Sequence, residues 1–186
     1  MQCPYCHNHL KASAPECPAC HITFPRTSAL VGALPRLAPI VADTLALLKS
    51  SEQAKLKNRI SQIQQRFPQV ILQVVVHSFP TDHPFTMYAF WLFNAGNFAG
   101  DSRRGKDNHS LMIALDPTRA ESAIVPGYGL ETFLKPEALD HLLELAGPAW
   151  VESRWTDGLL RVLDGLEQLL EATATPGETA LPKGEF

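Results

Sequence analysis

Beyond residue 20 the chain contains no cysteine. No disulfide framework can staple the larger part, which must be ordered by an apolar core. Charge is also scarce. Asp, Glu, Lys and Arg make up 19% of the 186 residues, the net charge is −3, and neither sign forms a run. That excludes a polybasic nucleic-acid surface and an acidic interaction tail. Long apolar runs are missing too. The longest unbroken one lies within residues 87–93, and Pro35, Arg36, Pro39 and Asp43 interrupt the apolar stretch 27–48. A membrane span needs about 20 apolar residues, so none is expected. The start, MQCPYCHNHL, has no apolar core of a secretory leader. The expectation is a soluble cytoplasmic protein whose partner is another protein rather than nucleic acid or membrane.

All the cysteine lies at the front, as Cys3-Pro-Tyr-Cys6, ten residues, then Cys17-Pro-Ala-Cys20. Each CxxC puts two thiolates on one tight turn, and two such knuckles complete a closed tetrahedral Zn²⁺ shell. A stub of 25 residues cannot build a core of its own, so zinc binding and folding should be coupled. His7 and His21 follow the two knuckles, where zinc ribbons usually carry glycine. That place often needs a positive φ, which histidine tolerates better than most residues. Three rival readings are weaker. CxxCH is the form of c-type haem attachment, which needs export. CPYC resembles a glutaredoxin pair, which belongs after a strand. Cys20 to Arg26 has phosphatase-loop spacing, but zinc would occupy that nucleophile. Either histidine remains an alternative ligand.

The rest reads as one α/β domain. Residues 25–36 form a linker punctuated by Pro25, Gly32 and Pro35. The patterns predict helices over 38–49 and from Ser50 to Phe67, with Ser50 and Gln53 fitting a capping box. Residues 70–76 are a β-branched run, hence a strand buried on both faces. Residues 84–98, with Phe85, Tyr88, Phe90, Trp91 and Phe93, read as a core helix. Residues 110–115 and 121–125 form a hairpin through the Asp116-Pro-Thr-Arg turn. Helices over 136–146 and 155–170 follow, then a polar tail, 173–186, expected to be disordered. Strands interleaved with helices imply a mixed sheet with helices on both faces.

The hairpin brings Gly105-Lys-Asp107-Asn108 beside Gly127-Tyr-Gly-Leu-Glu131, since paired strands lie about 4.8 Å apart. Hard oxygen ligands of this kind suit Ca²⁺ or Mg²⁺. The structural alternative is that Asp-Asn caps a turn and the glycines supply unusual backbone angles. No Asp-x-Asp pair, Gly-rich phosphate loop, GxSxG elbow or HExxH helix points to a particular enzyme.

These segments resemble the hallmark of the TPM domain family, with GYGLE the most specific piece. Val41-Ala-Asp43, then Leu47-Leu48 and Ser51-Glu52, is similar to that family's opening segment. His109 and Pro126 depart from its usual residues. The resemblance covers about residues 38–172 and leaves out the ribbon. It implies an α/β/α sandwich, and members that bind divalent cations, act in assembly or have been proposed as phosphatases. The expected organisation is therefore an α/β chain: zinc ribbon 1–25, linker 26–37, TPM-like sandwich with a small mixed sheet 38–172, tail 173–186. The expected function is a binding or assembly module. The alternative is a metal-dependent phosphomonoester phosphatase, with Asp107, Asn108, Glu131 and Asp43 as candidate cation ligands.

Overall fold

The computed structural model describes residues 3–11, 14–96 and 108–174. Its elements run α1 (Phe24–Val31), β1 (Val41–Asp43), α2 (Ser50–Arg66), β2 (Ile71–Val76), α3 (Phe85–Ala95), β3 (Ser110–Asp116), β4 (Glu121–Pro126), α4 (Tyr128–Glu131), α5 (Pro136–Val151) and α6 (Trp155–Ala174). The sheet order is β1-β2-β3-β4. The first three strands are parallel and β4 is antiparallel to β3.

Alternation along the central strands sorts the core into two layers. Val74, Val76, Ile113 and Leu115 face Leu56, Ile60 and Ile63 of α2 and the apolar faces of α5 and α6. Ala42, Val75, Met112 and Ala114 face Met87, Tyr88, Ala89, Trp91 and Leu92 of α3. The α/β/α sandwich with a small mixed sheet is therefore as expected. Arg59 of α2 ties the first layer together by donating to Asp164 (2.7 Å) and pairing with Glu167 on α6.

Both parallel crossovers step the same way across the sheet, yet α2 lies on one face and α3 on the other. The two crossovers therefore have opposite hands, one of them against the usual right-handed preference.

Five expectations need correction or trimming. The helix expected over 38–49 is not there: residues 41–43 form β1, paired with Val74–Val76. Three residues, the first two of them buried on opposite faces, are too short a run to show a period. Asp43 then ends the strand, its carboxylate accepting from the Leu45 and Leu48 N–H groups (3.1 and 2.7 Å). The stretch read as a linker carries α1, capped by Thr23, whose hydroxyl accepts from Arg26 N–H (3.2 Å). Helix α3 ends at Ala95, and residues 97 and 98 lie outside the described residues. Helix α5 continues through Pro148 to Val151. Pro148 is exposed, so the carbonyl it leaves unbonded faces water, while buried Ala149 and Trp150 carry the helix onward. Helix α6 reaches Ala174, and the expected tail beyond it lies outside the described residues.

At the C-terminal ends of the parallel strands, Thr44 Oγ1 and His77 Nδ1 lie 2.7 Å apart. Burial lowers the pKa of His77, with the Asp116 charge pulling it back up. The unfolded chain then binds the His77 proton at a higher pH than the folded one, about 6.5. Stability is expected to fall as pH drops below that value towards the folded pKa. The slope of Tm against pH between about 7 and 5.5 should flatten in His77→Gln.

Candidate metal centre and the groove beside it

The ribbon is two copies of one turn. Cys3 N–H donates to Asn8 O (2.8 Å) and His7 N–H to Cys3 O (2.9 Å). In the second knuckle Cys17 N–H donates to Ile22 O (3.1 Å) and His21 N–H to Cys17 O (2.9 Å). His7 and His21 both sit at φ 58°, the left-handed conformation their place in the knuckle required.

These turns aim four sulfurs at one point. Cys3 Sγ lies 3.7 Å from Cys20 Sγ, Cys6 Sγ lies 3.6 Å from Cys17 Sγ, and all four fall within 4.8 Å of one another. A tetrahedron with Zn–S bonds of about 2.3 Å has edges of about 3.8 Å. The donor set and its dimensions both fit Zn²⁺, and four soft thiolates leave no coordination position open.

Electrostatics point the same way. Burial, and then the neighbouring thiols, push Cys20 up to about 12, and burial raises Cys3. The backbone and side-chain amides of Asn8 instead bring Cys6 down to about 6, its Nδ2 lying 3.3 Å from Cys6 Sγ. Four sulfurs this close cannot all be anionic without a cation among them. Cys3, Cys17 and Leu10 form a minute core, with Ile22 packed on it.

The ribbon docks on the main domain. Thr86, at the start of α3, donates to the Pro4 carbonyl (2.6 Å), and the Tyr5 and His83 rings approach to 6.1 Å. Helix α1 extends the contact, with Trp91 Nε1 donating to Ser28 Oγ (3.2 Å).

Beside that junction a groove of about 400 Å³ runs along β4, between α3 and α5. Asn108 and Glu131 both line it. Asn108 stands at φ 51° and its carbonyl accepts from Gly129 N–H (3.3 Å). Asp107 lies outside the described residues. Asp43 is not brought to this end. It pairs with Val76, which pairs with Leu115, seven residues along β3 from Asn108. At about 3.3 Å per residue the separation is roughly 20 Å.

The hallmark segment does something sequence reasoning did not find. A Cβ on Gly127 would lie 2.2 Å from the Asn108 carbonyl oxygen, so the two backbones touch there. The neighbour is main chain and cannot rotate away. Gly127→Ala is expected to destabilise the domain by about 1–3 kcal/mol, measured by urea denaturation.

The model of the TPM domain family matches residues 41–169. Solved structures with similar folds include the N-terminal domain of a protein from P. gingivalis: 20% identity, 79% of this chain and 88% of that one, TM-score 0.57. Another is the N-terminal domain of the cg2496 protein from Corynebacterium glutamicum: 17% identity, 96% and 97% covered, TM-score 0.54. A third is the BA42 protein of the psychrophile Bizionia argentinensis: 10% identity, 76% and 93% covered, TM-score 0.56. At these identities the likeness is one of fold. No curated protein matches the chain. Among the described residues no helix is long and apolar enough to cross a membrane.

Proposed function

Because the chain belongs to the TPM domain family over residues 41–169, we propose that it is a binding or assembly module whose front end is a structural zinc ribbon. The observation that carries this reading is the closed shell of Cys3, Cys6, Cys17 and Cys20. With every coordination position taken by sulfur, the metal has no place for substrate or water, and its role is to hold shape. That shape is pressed against α3 at Pro4 and against His83 at Tyr5, so the metal would fix the Pro4 end of the groove along β4. Four thiolates also suit a reducing compartment such as the cytoplasm.

A Ca²⁺ or Mg²⁺ at Asp107, Asn108 and Glu131 is supported by the family resemblance and by Asn108 and Glu131 lining one groove. The phosphatase reading has less behind it, because Asp43 stands at the opposite end of the sheet from Glu131.

The test is elemental analysis of the purified chain. One zinc per chain, removed by a strong chelator together with the protease resistance of the ribbon, is the expected result. Zinc at background level would reject the reading.

A further inference from the structure

We propose that the outer edge of β4 is a docking strand for an extended peptide segment of a partner protein, one with apolar residues on both faces. The inference deepens the reading above and rests on it.

β4 pairs with β3 on one side, and on the other, among the described residues, it is the edge of the sheet. Gly127 N–H donates to Ser110 O (2.7 Å), which marks these two as a hydrogen-bonded antiparallel pair. Following the register, the bonded pairs recur at Met112–Val125, Ala114–Ala123 and Asp116–Glu121. The backbone groups of Ser122 and Ile124 therefore point away from β3. Pro126, also in the outward set, has no N–H to offer and ends the row at one side.

Two residues presenting N–H and C=O outward, about 6.8 Å apart, match an extended polypeptide backbone. The walls define the side chains. Ala89, Phe90 and Phe93 of α3 lie on one side, Leu139 and Leu143 of α5 on the other, and the groove holds about 400 Å³. Successive side chains of an added strand would point into these two apolar walls in turn. The recess argues against a second copy as the occupant. Its own β4 is flanked by the same two helices, and four walls would meet before the edges did. Pro4 of the ribbon lines the groove as well, which couples the docking strand to the zinc site.

The experiment uses the zinc-loaded full chain and a pool of fluorescein-labelled nine-residue peptides. They carry Val, Ile, Leu or Phe at consecutive central positions and Lys at both ends. Anisotropy should rise saturably, and Ser122→Pro should weaken binding at least tenfold. That substitution removes one outward N–H and none of the β4–β3 bonds. Ser122→Ala should bind as the parent does. Peptides N-methylated at all the central amides, so that neither edge can pair, should also fail to bind, a readout independent of whether the proline variant folds. No saturable rise up to about 1 mM peptide would overturn the proposal. So would unchanged affinity in a folded Ser122→Pro variant or for the N-methylated peptides, or sedimentation showing a dimer that Ser122→Pro dissolves. Zinc measured on the same sample separates the two failures. Zinc-free protein defeats the module reading, whereas zinc-replete protein that ignores peptides defeats this inference alone.

Discussion

Cys17→Ser is expected to leave the chain without zinc and its ribbon open to protease, while the TPM domain keeps a cooperative melt. The ribbon has Cys3, Cys17 and Leu10 for a core, with Ile22 beside them. Ordering some twenty residues costs far more than two apolar side chains return. The balance comes from the metal, whose apparent binding free energy in such knuckles is about 10–16 kcal/mol near neutral pH. Serine offers a neutral, hard oxygen in place of a thiolate, so the shell loses both charge and softness. The main domain should lose the Thr86–Pro4 hydrogen bond, worth about 1 kcal/mol, and the Tyr5–His83 contact with it. Its Tm should therefore fall by only a few degrees. Elemental analysis, limited proteolysis and calorimetry on one preparation check all three parts. Full protease resistance in zinc-free Cys17→Ser would show that thiolate ligation is not what orders the ribbon.

The four-cysteine cluster was legible because its chemistry is local. Two CxxC turns need no knowledge of the fold to be read as ligands, and the positive φ at His7 and His21 follows from where they sit in each knuckle. The long elements were legible for a similar reason. Residues 71–76 are apolar but for Gln73, and α6 repeats Leu159, Val162, Leu163, Leu166 and Leu170 on one face. What escaped depends on partners remote in the chain. β1 is a strand only because Val74–Val76 lies beside it, and its three residues carry no period of their own. Asp43 and Glu131 share a family resemblance but not an end of the sheet, and only the strand register shows it. The GYGLE segment reads by chemistry as an acidic, flexible site, yet the first glycine's visible role is to let Asn108 approach. The groove along β4 could not be read at all. It is made by α3 and α5, and neither helix signals in sequence that it flanks an open edge.

Asp116 also escaped, and it carries the second large effect. In sequence it is the first residue of a turn. In the fold its carboxylate is fully buried and accepts four hydrogen bonds. Oδ1 takes Thr118 N–H (2.8 Å), Thr118 Oγ1 (2.6 Å) and Arg119 N–H (3.2 Å), and Oδ2 takes Phe79 N–H (2.7 Å) from the loop after β2. One side chain thus closes the β3–β4 turn and pins a segment 37 residues away. Phe79 in turn packs edge-on against Phe85 (5.3 Å between ring centroids) and beside Tyr88 (5.9 Å), at the foot of α3. Asp116→Ala leaves three backbone N–H groups facing a cavity. Each unsatisfied donor costs about 1–3 kcal/mol, so a total loss of roughly 3–5 kcal/mol is expected. For a chain of this length that is a fall in Tm on the order of 10 °C. Asp116→Asn should cost less. Its Oδ1 can keep the three turn bonds, but its amide N–H₂ then meets the Phe79 N–H, donor against donor. Zinc content should stay at one per chain in both variants, because the shell lies outside this network. Calorimetry with metal analysis checks the ordering wild type, Asn, Ala. A drop of under about 2 °C in the alanine variant would mean that water replaces the carboxylate and that the turn closes without it.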